Sequence, residues 1–191
     1  MQLIFATHNK NKSKEVKSII PHSIIVSDLS EIGYHKEIEE TADTIEGNAL
    51  LKAHTIFNET GINCFSDDSG LLVDALHGAP GVYSARYAGE HKNDEDNLQK
   101  LLKELAGKEN RKAHFKTVIV ILIDGKEQLF EGIINGTISH KKKGSEGFGY
   151  DPIFIPDGYQ RSFAEMSIEE KSTISHRALA LKKMIEFLKT I

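Results

Sequence analysis

Asp124-Gly125 stands between two long runs rich in β-branched residues, and no other pair of residues limits the fold as strongly. Residues 113–123 read as one strand and 128–138 as its return, because an Asp-Gly pair readily adopts the two positive φ values of a tight hairpin turn. Strands joined by a two-residue turn are antiparallel. A sheet built around them is mixed, not the purely parallel sheet of a doubly wound fold.

Helical periodicity and short apolar runs fill the rest of the chain. Residues 3–6 form an apolar strand ending at Thr7, and a helical pattern then runs to near Ile20, where Pro21 stops it. Ile24, Ile25 and Val26 read as a second strand. Asp43 with Glu46 fits a capping box, Gly61 fits the helix stop, and Ile45, Ala49, Ala53, Ile56 and Phe57 form the apolar stripe between them. A further helix is expected from about Asn93 to Leu105, closed by Gly107. One helix is expected to close the chain beyond Glu169, carrying Ile174, Ala178, Leu181, Ile185 and Leu188 on one side.

With 191 residues, 39% hydrophobic and 27% charged, the chain suits one soluble domain with a sizeable core. A net charge of −4 disfavours general attraction to nucleic acid or to an anionic membrane, while leaving room for a local basic site. No apolar run approaches the ~18 residues that span a bilayer. The single cysteine, Cys64, rules out an internal disulfide and points to a reducing, cytoplasmic compartment. It lies in an apolar strand signal, as a buried and inert thiol does.

Chemistry gathers first at residues 64–89, CFSDDSGLLVDALHGAPGVYSARYAG. The apolar run stops at Asp67 and Asp68, and Ser69-Gly70 reads as a tight turn. Adjacent carboxylates at such a corner repel each other unless a cation or hydrogen-bond donors sit there; an Asp-capped turn accounts for them equally well. The segment THNKNKSKE (7–15) joins a strand to a helix start, where free N–H groups and the positive dipole end favour an anion, and Lys10, Lys12 and Lys14 add charge. The spacing of a Walker loop is absent. Glu40 arrives at the next helix with no partner evident in sequence. Residues 148–158 set Phe148 and Tyr150 among glycines, which lets a planar base approach and stack, or simply anchors a loop. Lys171, His176 and Arg177 read as a second cationic group at a helix start. The nine histidines lack zinc spacing. Two cationic helix starts, an acidic corner and an aromatic glycine loop together suit a polyphosphate carrying a planar base.

Five segments, A-T-H-N-K-N-K (6–12), N-A-L-L-K-A (48–53), the run from Phe65 to Gly89, G-F-G-Y-D-P-I-F (147–154) and E-K-S-T-I-S-H-R (170–177), occur in family order over essentially the full chain. On these the sequence resembles the non-canonical purine nucleoside triphosphate pyrophosphatases, the Ham1-like or RdgB-like inosine/xanthosine triphosphate pyrophosphatases. The resemblance implies an α/β fold over residues 1–191, with an elongated central mixed sheet flanked by helices, two lobes and a cleft between them, and a homodimer. It implies Mg²⁺-dependent hydrolysis of ITP, dITP and XTP to the monophosphate and pyrophosphate. By position, Asp68 is implied as general base, with Glu40 and Asp68 associated with the metal and Asp67 close by. Thr7, His8, Asn9, Lys10, Asn11, Lys12, Lys52 and Ser69 are implied at the phosphates. Phe148, Gly149, Tyr150 and Asp151 would border the base, and Lys171, His176 and Arg177 would complete the pocket. Asn11 stands where many relatives carry Gly, and Asn tolerates the left-handed backbone such a loop can need. Competing readings are a Maf-like pyrophosphatase acting on modified pyrimidine or guanine nucleotides, and a nucleotide-binding regulator without turnover. The S-H-R segment and the FGYD loop favour the first reading over the Maf-like one, and the three acids argue against a pure anion binder.

Overall fold

In the computed structural model, which describes residues 1–191, six strands form one mixed sheet flanked by five α-helices. Strand β1 (Gln2–Phe5) leads into helix α1 (Lys10–Ile19), then β2 (Ile25–Asp28), helix α2 (Ile45–Thr60) and the long strand β3 (Cys64–Val73). Helix α3 (Asp94–Glu104) precedes the hairpin of β4 (Lys112–Ile123) and β5 (Lys126–Ile138). Strand β6 (Phe154–Pro156) and helices α4 (Ile168–Ile174) and α5 (His176–Leu188) complete the chain. The strand order is β2-β1-β3-β4-β5-β6. β1 pairs in parallel with β2 and β3, and β5 pairs antiparallel with β6. The hairpin turn is the one expected, with φ +49° at Asp124 and +78° at Gly125. No helix is long and apolar enough to cross a membrane.

Contacts divide the chain into two units, Met1–Asp68 with Thr117–Gly132 and Arg177–Ile191, and Ser69–Lys116 with Ile133–His176. The first unit is cored by Leu3, Phe5, Val16, Phe65, Ile119, Ile121, Leu181 and Met184. Phe5 and Phe65 are paired in register across β1 and β3 and stack with ring centroids 4.6 Å apart. The second unit is cored by Leu71, Val73, Leu98, Leu101, Phe115, Ile138, Ile153, Phe154 and Phe163.

Three expectations are corrected. Ser69-Gly70 makes no turn: β3 continues through both residues, and Gly70 is not at positive φ. With β1 on one side and β4 on the other, the β3 backbone has sheet partners that a turn would forfeit. The cap of α2 is Thr44, not Asp43; its Oγ1 accepts the Gly47 N–H at 3.0 Å, and this one-residue shift moves Glu46 out of capping-box register. The final helix is two helices. Ser175, with ψ 155°, ends α4 before α5 begins, so Lys171 lies in the last turn of α4 rather than at the start of α5. Gly61 is left-handed at φ +67° as its stop position demands.

Candidate active site

The segment from Thr7 to Lys12 is held before any ligand is considered. Asn9 caps α1, its Oδ1 accepting the backbone N–H groups of Asn11 at 3.0 Å and Lys12 at 3.1 Å, while its own N–H donates to Thr7 Oγ1 at 3.1 Å. The capping side chain therefore takes up donors that were expected to face an anion. Asn11 is helical, so the left-handed tolerance anticipated for it is not used. His8 Nε2 is 3.0 Å from the Lys36 carbonyl, and the ring stacks on Tyr34. Lys10 pairs with Asp28 at 3.2 Å. Lys12 reaches Asp67 at 3.0 Å.

Asp67 and Asp68 are neighbours on β3, so their side chains leave opposite faces of the strand. Each meets a different set of charges. The Asp67 carboxylate, 1% exposed, pairs with Lys12 and accepts from Arg177 Nε at 3.0 Å. Arg177, itself 2% exposed, also pairs through Nη1 with Glu15. Burial alone would raise the Asp67 pKa; the charges of Lys12, Arg177 and Lys52 overturn that and hold it well below the usual carboxylate range. On the other face, Lys52 Nζ lies 2.6 Å from Glu40 and 3.5 Å from Asp68. Here burial prevails: Asp68 is held above the usual range despite Lys52 and Lys12, with Glu40 and Asp67 adding to the rise. Asp68 Oδ2 is buried and has no hydrogen-bond partner. Burial would lower the Lys52 pKa, but Asp68, Glu40 and Asp67 raise it, so this ammonium stays charged.

The second unit carries a separate constellation. Asp151 Oδ2 accepts the Phe148 N–H at 2.9 Å and the Lys171 ammonium at 2.6 Å, and Lys171 Nζ stands 5.0 Å above the Phe148 ring. Gly147 is at φ +75°, and a Cβ there would overlap Asp151 Oδ2. The Gly149 N–H donates to Asp94 Oδ2 at 2.8 Å. Tyr150 belongs to the core, 4% exposed, with its hydroxyl donating to the Ser84 carbonyl at 2.9 Å, which leaves Phe148 as the half-buried aromatic of the turn. His176 is buried and stacks on Phe115 at 4.5 Å. Ser69 is half-buried on β3.

Residues 3–187 match the model of the Ham1 family. The chain belongs to that family. It is 56% identical over 189 residues to a Flavobacterium psychrophilum protein named dITP/XTP pyrophosphatase, covering 99% of this chain and 100% of that one. A Christiangramia forsetii protein of the same name is 53% identical over 188 residues, covering 98% and 99%. Among solved structures, the Staphylococcus aureus Ham1 protein superposes with a TM-score of 0.89 at 40% identity, covering 100% of this chain and 99% of that one. A HAM1 protein from Coxiella burnetii gives 0.90 at 36% identity, with full coverage of both chains.

Sequence reading named the acids and the cations but not who holds whom. The first unit brings together Lys12, Asp67 and Arg177 on one side of β3 and Lys52, Glu40 and Asp68 on the other. Glu15 was missed, although one acid among four lysines in residues 10–17 was a visible signal that a buried cation needed it. Asn48, which the sequence shows only as the first residue of the 48–53 segment, is fully buried.

Proposed function

We propose that this Ham1-family chain hydrolyses dITP, ITP and XTP to the corresponding monophosphate and pyrophosphate. The observation that carries the mechanism is the divergence of Asp67 and Asp68. Two adjacent carboxyls that meet different partners, Lys12 and Arg177 for Asp67 and the Lys52–Glu40 pair for Asp68, are suited to separate roles, and the opposite directions of their pKa shifts agree with this. Asp67, locked ionised between Lys12 and Arg177, is structural and keeps both cations in place. Asp68, whose Oδ1 meets Lys52 Nζ only at 3.5 Å, accepts the proton of the attacking water on that oxygen. Water bonds to phosphorus, the α–β anhydride breaks, pyrophosphate leaves and the proton passes from Asp68 to solvent.

Asp68 and Glu40 also fit Mg²⁺. They are hard oxygen donors that share one ammonium. Magnesium characteristically takes one or two carboxylates and fills its remaining positions with waters and substrate phosphates. When bound, it would neutralise phosphate charge and polarise the phosphoryl oxygen. Lys52 and the Thr7–Lys12 segment with Ser69 supply the cationic and hydroxyl groups for the triphosphate. Phe148, Gly149 and Asp151 with Lys171 and His176 take the base. A 6-oxo purine presents an acceptor where adenine presents an amino donor, so a fixed ammonium at that edge leaves adenine unpaired, which is costly.

β3, β4 and β5 each carry residues of both units, which supports reading residues 1–191 as one domain with two lobes. We further infer a homodimer and a cytoplasmic setting, the latter from the lone free thiol. The decisive experiment is a panel of purine triphosphates with Mg²⁺ and product identification. Pyrophosphate released from ITP, dITP and XTP far faster than from ATP or GTP is expected. Orthophosphate as the sole first product excludes the assigned bond. Preference for a modified pyrimidine favours a Maf-like activity.

A further inference from the structure

Strand β3 and helix α2 pass each other in a fixed register. The Cys64 thiol donates to the Ala53 carbonyl at 3.4 Å, and two residues on, the Ser66 hydroxyl donates to the Ala49 carbonyl at 2.5 Å. Two residues of strand advance about 6.4–6.8 Å and four residues of helix about 6 Å, so each such step along β3 retraces roughly one turn of α2. The next residue on that face of β3 is Asp68. The next turn back along α2 is the one that holds Ile45 and Asn48. Asn48 stands in that turn, next to Ala49 and four residues before Lys52, whose ammonium lies 3.5 Å from Asp68, so the Asn48 carboxamide and the Asp68 carboxyl approach the same end of this contact.

Asn48 is 0% exposed. Its Oδ1 accepts the Ala42 N–H at 3.0 Å, which fixes the orientation of the amide, since that backbone donor needs an oxygen. Ala42 lies two residues beyond Glu40, and its segment can lie this close because Gly47 has no side chain: a Cβ there would stand 2.6 Å from Ala42 Cβ. With Oδ1 occupied, Nδ2 remains buried with no partner, as does Asp68 Oδ2. One is a donor and the other an acceptor. Buried polar groups of native proteins are almost always paired, and an internal water is the usual means where side chains do not meet.

We propose that Asn48 is a positioning residue for both acids of the site. Its Oδ1 fixes the backbone that carries Glu40, and its Nδ2, together with Asp68 Oδ2, holds one internal water against the base. The water accepts from Nδ2 and donates to Oδ2. This rests on the reading of Asp68 as base and Glu40 as the second metal-associated acid.

A crystal structure of the metal-free wild type that orders internal water is expected to show one water within hydrogen-bond distance of both atoms. A direct Asn48–Asp68 contact, or the two atoms without a shared water, overturns the proposal. Two variants separate the two ends of the amide. Asn48→Asp keeps an acceptor for Ala42 and puts a carboxyl oxygen in place of the Nδ2 donor; Asn48→Ala loses both ends without adding a charge. Each is expected to lower kcat by ~10- to 100-fold with little change in KM, the usual effect of losing an outer partner of a reactive group. Asn48→Ala is also expected to weaken calorimetric Mg²⁺ binding and to speed hydrogen exchange at the Ala42 amide, which Asn48→Asp leaves protected. Wild-type kcat in Asn48→Ala refutes the donor role. An active wild type lacking the water refutes the positioning, whereas a wild type that holds the water but cleaves no nucleotide refutes the base assignment alone.

Discussion

Asp67 and Asp68 differ by one position, and substituting each tests a different physical term. Burial dominates at Asp68 and raises its pKa, so the folded state disfavours the ionised form. That penalty is complete above the folded pKa and absent below the unfolded one. Asp68→Asn is therefore expected to lower kcat by ~10² or more while raising the melting temperature of the metal-free protein at neutral pH, with the gain vanishing toward pH 4. Near-wild-type turnover in that variant removes Asp68 as the base. Asp67 has the opposite sign. Its lowered pKa contributes stability that is full above about pH 4 and lost as pH falls through the folded value. Arg177→Met takes the buried guanidinium from both Asp67 and Glu15 and is expected to cost about 3–5 kcal/mol in urea denaturation at pH 7, and less at pH 3. An equal loss at both pH values contradicts the pairing. At this scale the sequence named the actors, because carboxylates and lysines at helix and strand ends are visible as letters. Their pairings were hidden, since Asp67 meets Arg177 across 110 positions of chain.

At the scale of elements, the strong local signals held and the weak ones yielded to tertiary context. Asp124-Gly125 made its turn because both residues carry the backbone preference themselves. Ser69-Gly70 did not, because the same dipeptide is also tolerated in a strand with partners on each side. The break at Ser175 went unseen; serine is only mildly unfavourable within a helix, and nothing else in E-K-S-T-I-S-H-R marks a stop. Two true capping boxes, Ser162 with Glu165 and Ser167 with Glu170, frame the approach to α4 and were passed over for the misregistered pair at Asp43. The turn carrying Phe148 depends on Gly147, whose positive φ and missing Cβ let Asp151 bond both the Phe148 N–H and Lys171. Gly147→Ala is expected to cost about 1–3 kcal/mol and to raise KM for the nucleotide more than it lowers kcat. Unchanged KM with the stability loss would separate this turn from base recognition.

For the whole molecule, the mixed character of the sheet was legible from a single turn, while its strand order was not, since pairing between distant strands leaves no local mark. β3 ends up in the interior of that order, between β1 and β4, and the only thiol of the chain rides on it. Cys64 is 0% exposed, and burial pushes its pKa up to about 12. Its sulfur lies against the Ala53 carbonyl of α2, so a thiol-reactive dye can reach it only when the packing of α2 on β3 opens. Labelling under native conditions is thus expected to run at least ~10³-fold slower than in urea, with a rate set by the free energy of opening. Fast labelling of the native protein would contradict the burial. The same sulfur that is inert in the folded chain becomes a one-site clock for how often its cover opens, readable on every purified variant described above with no cysteine introduced.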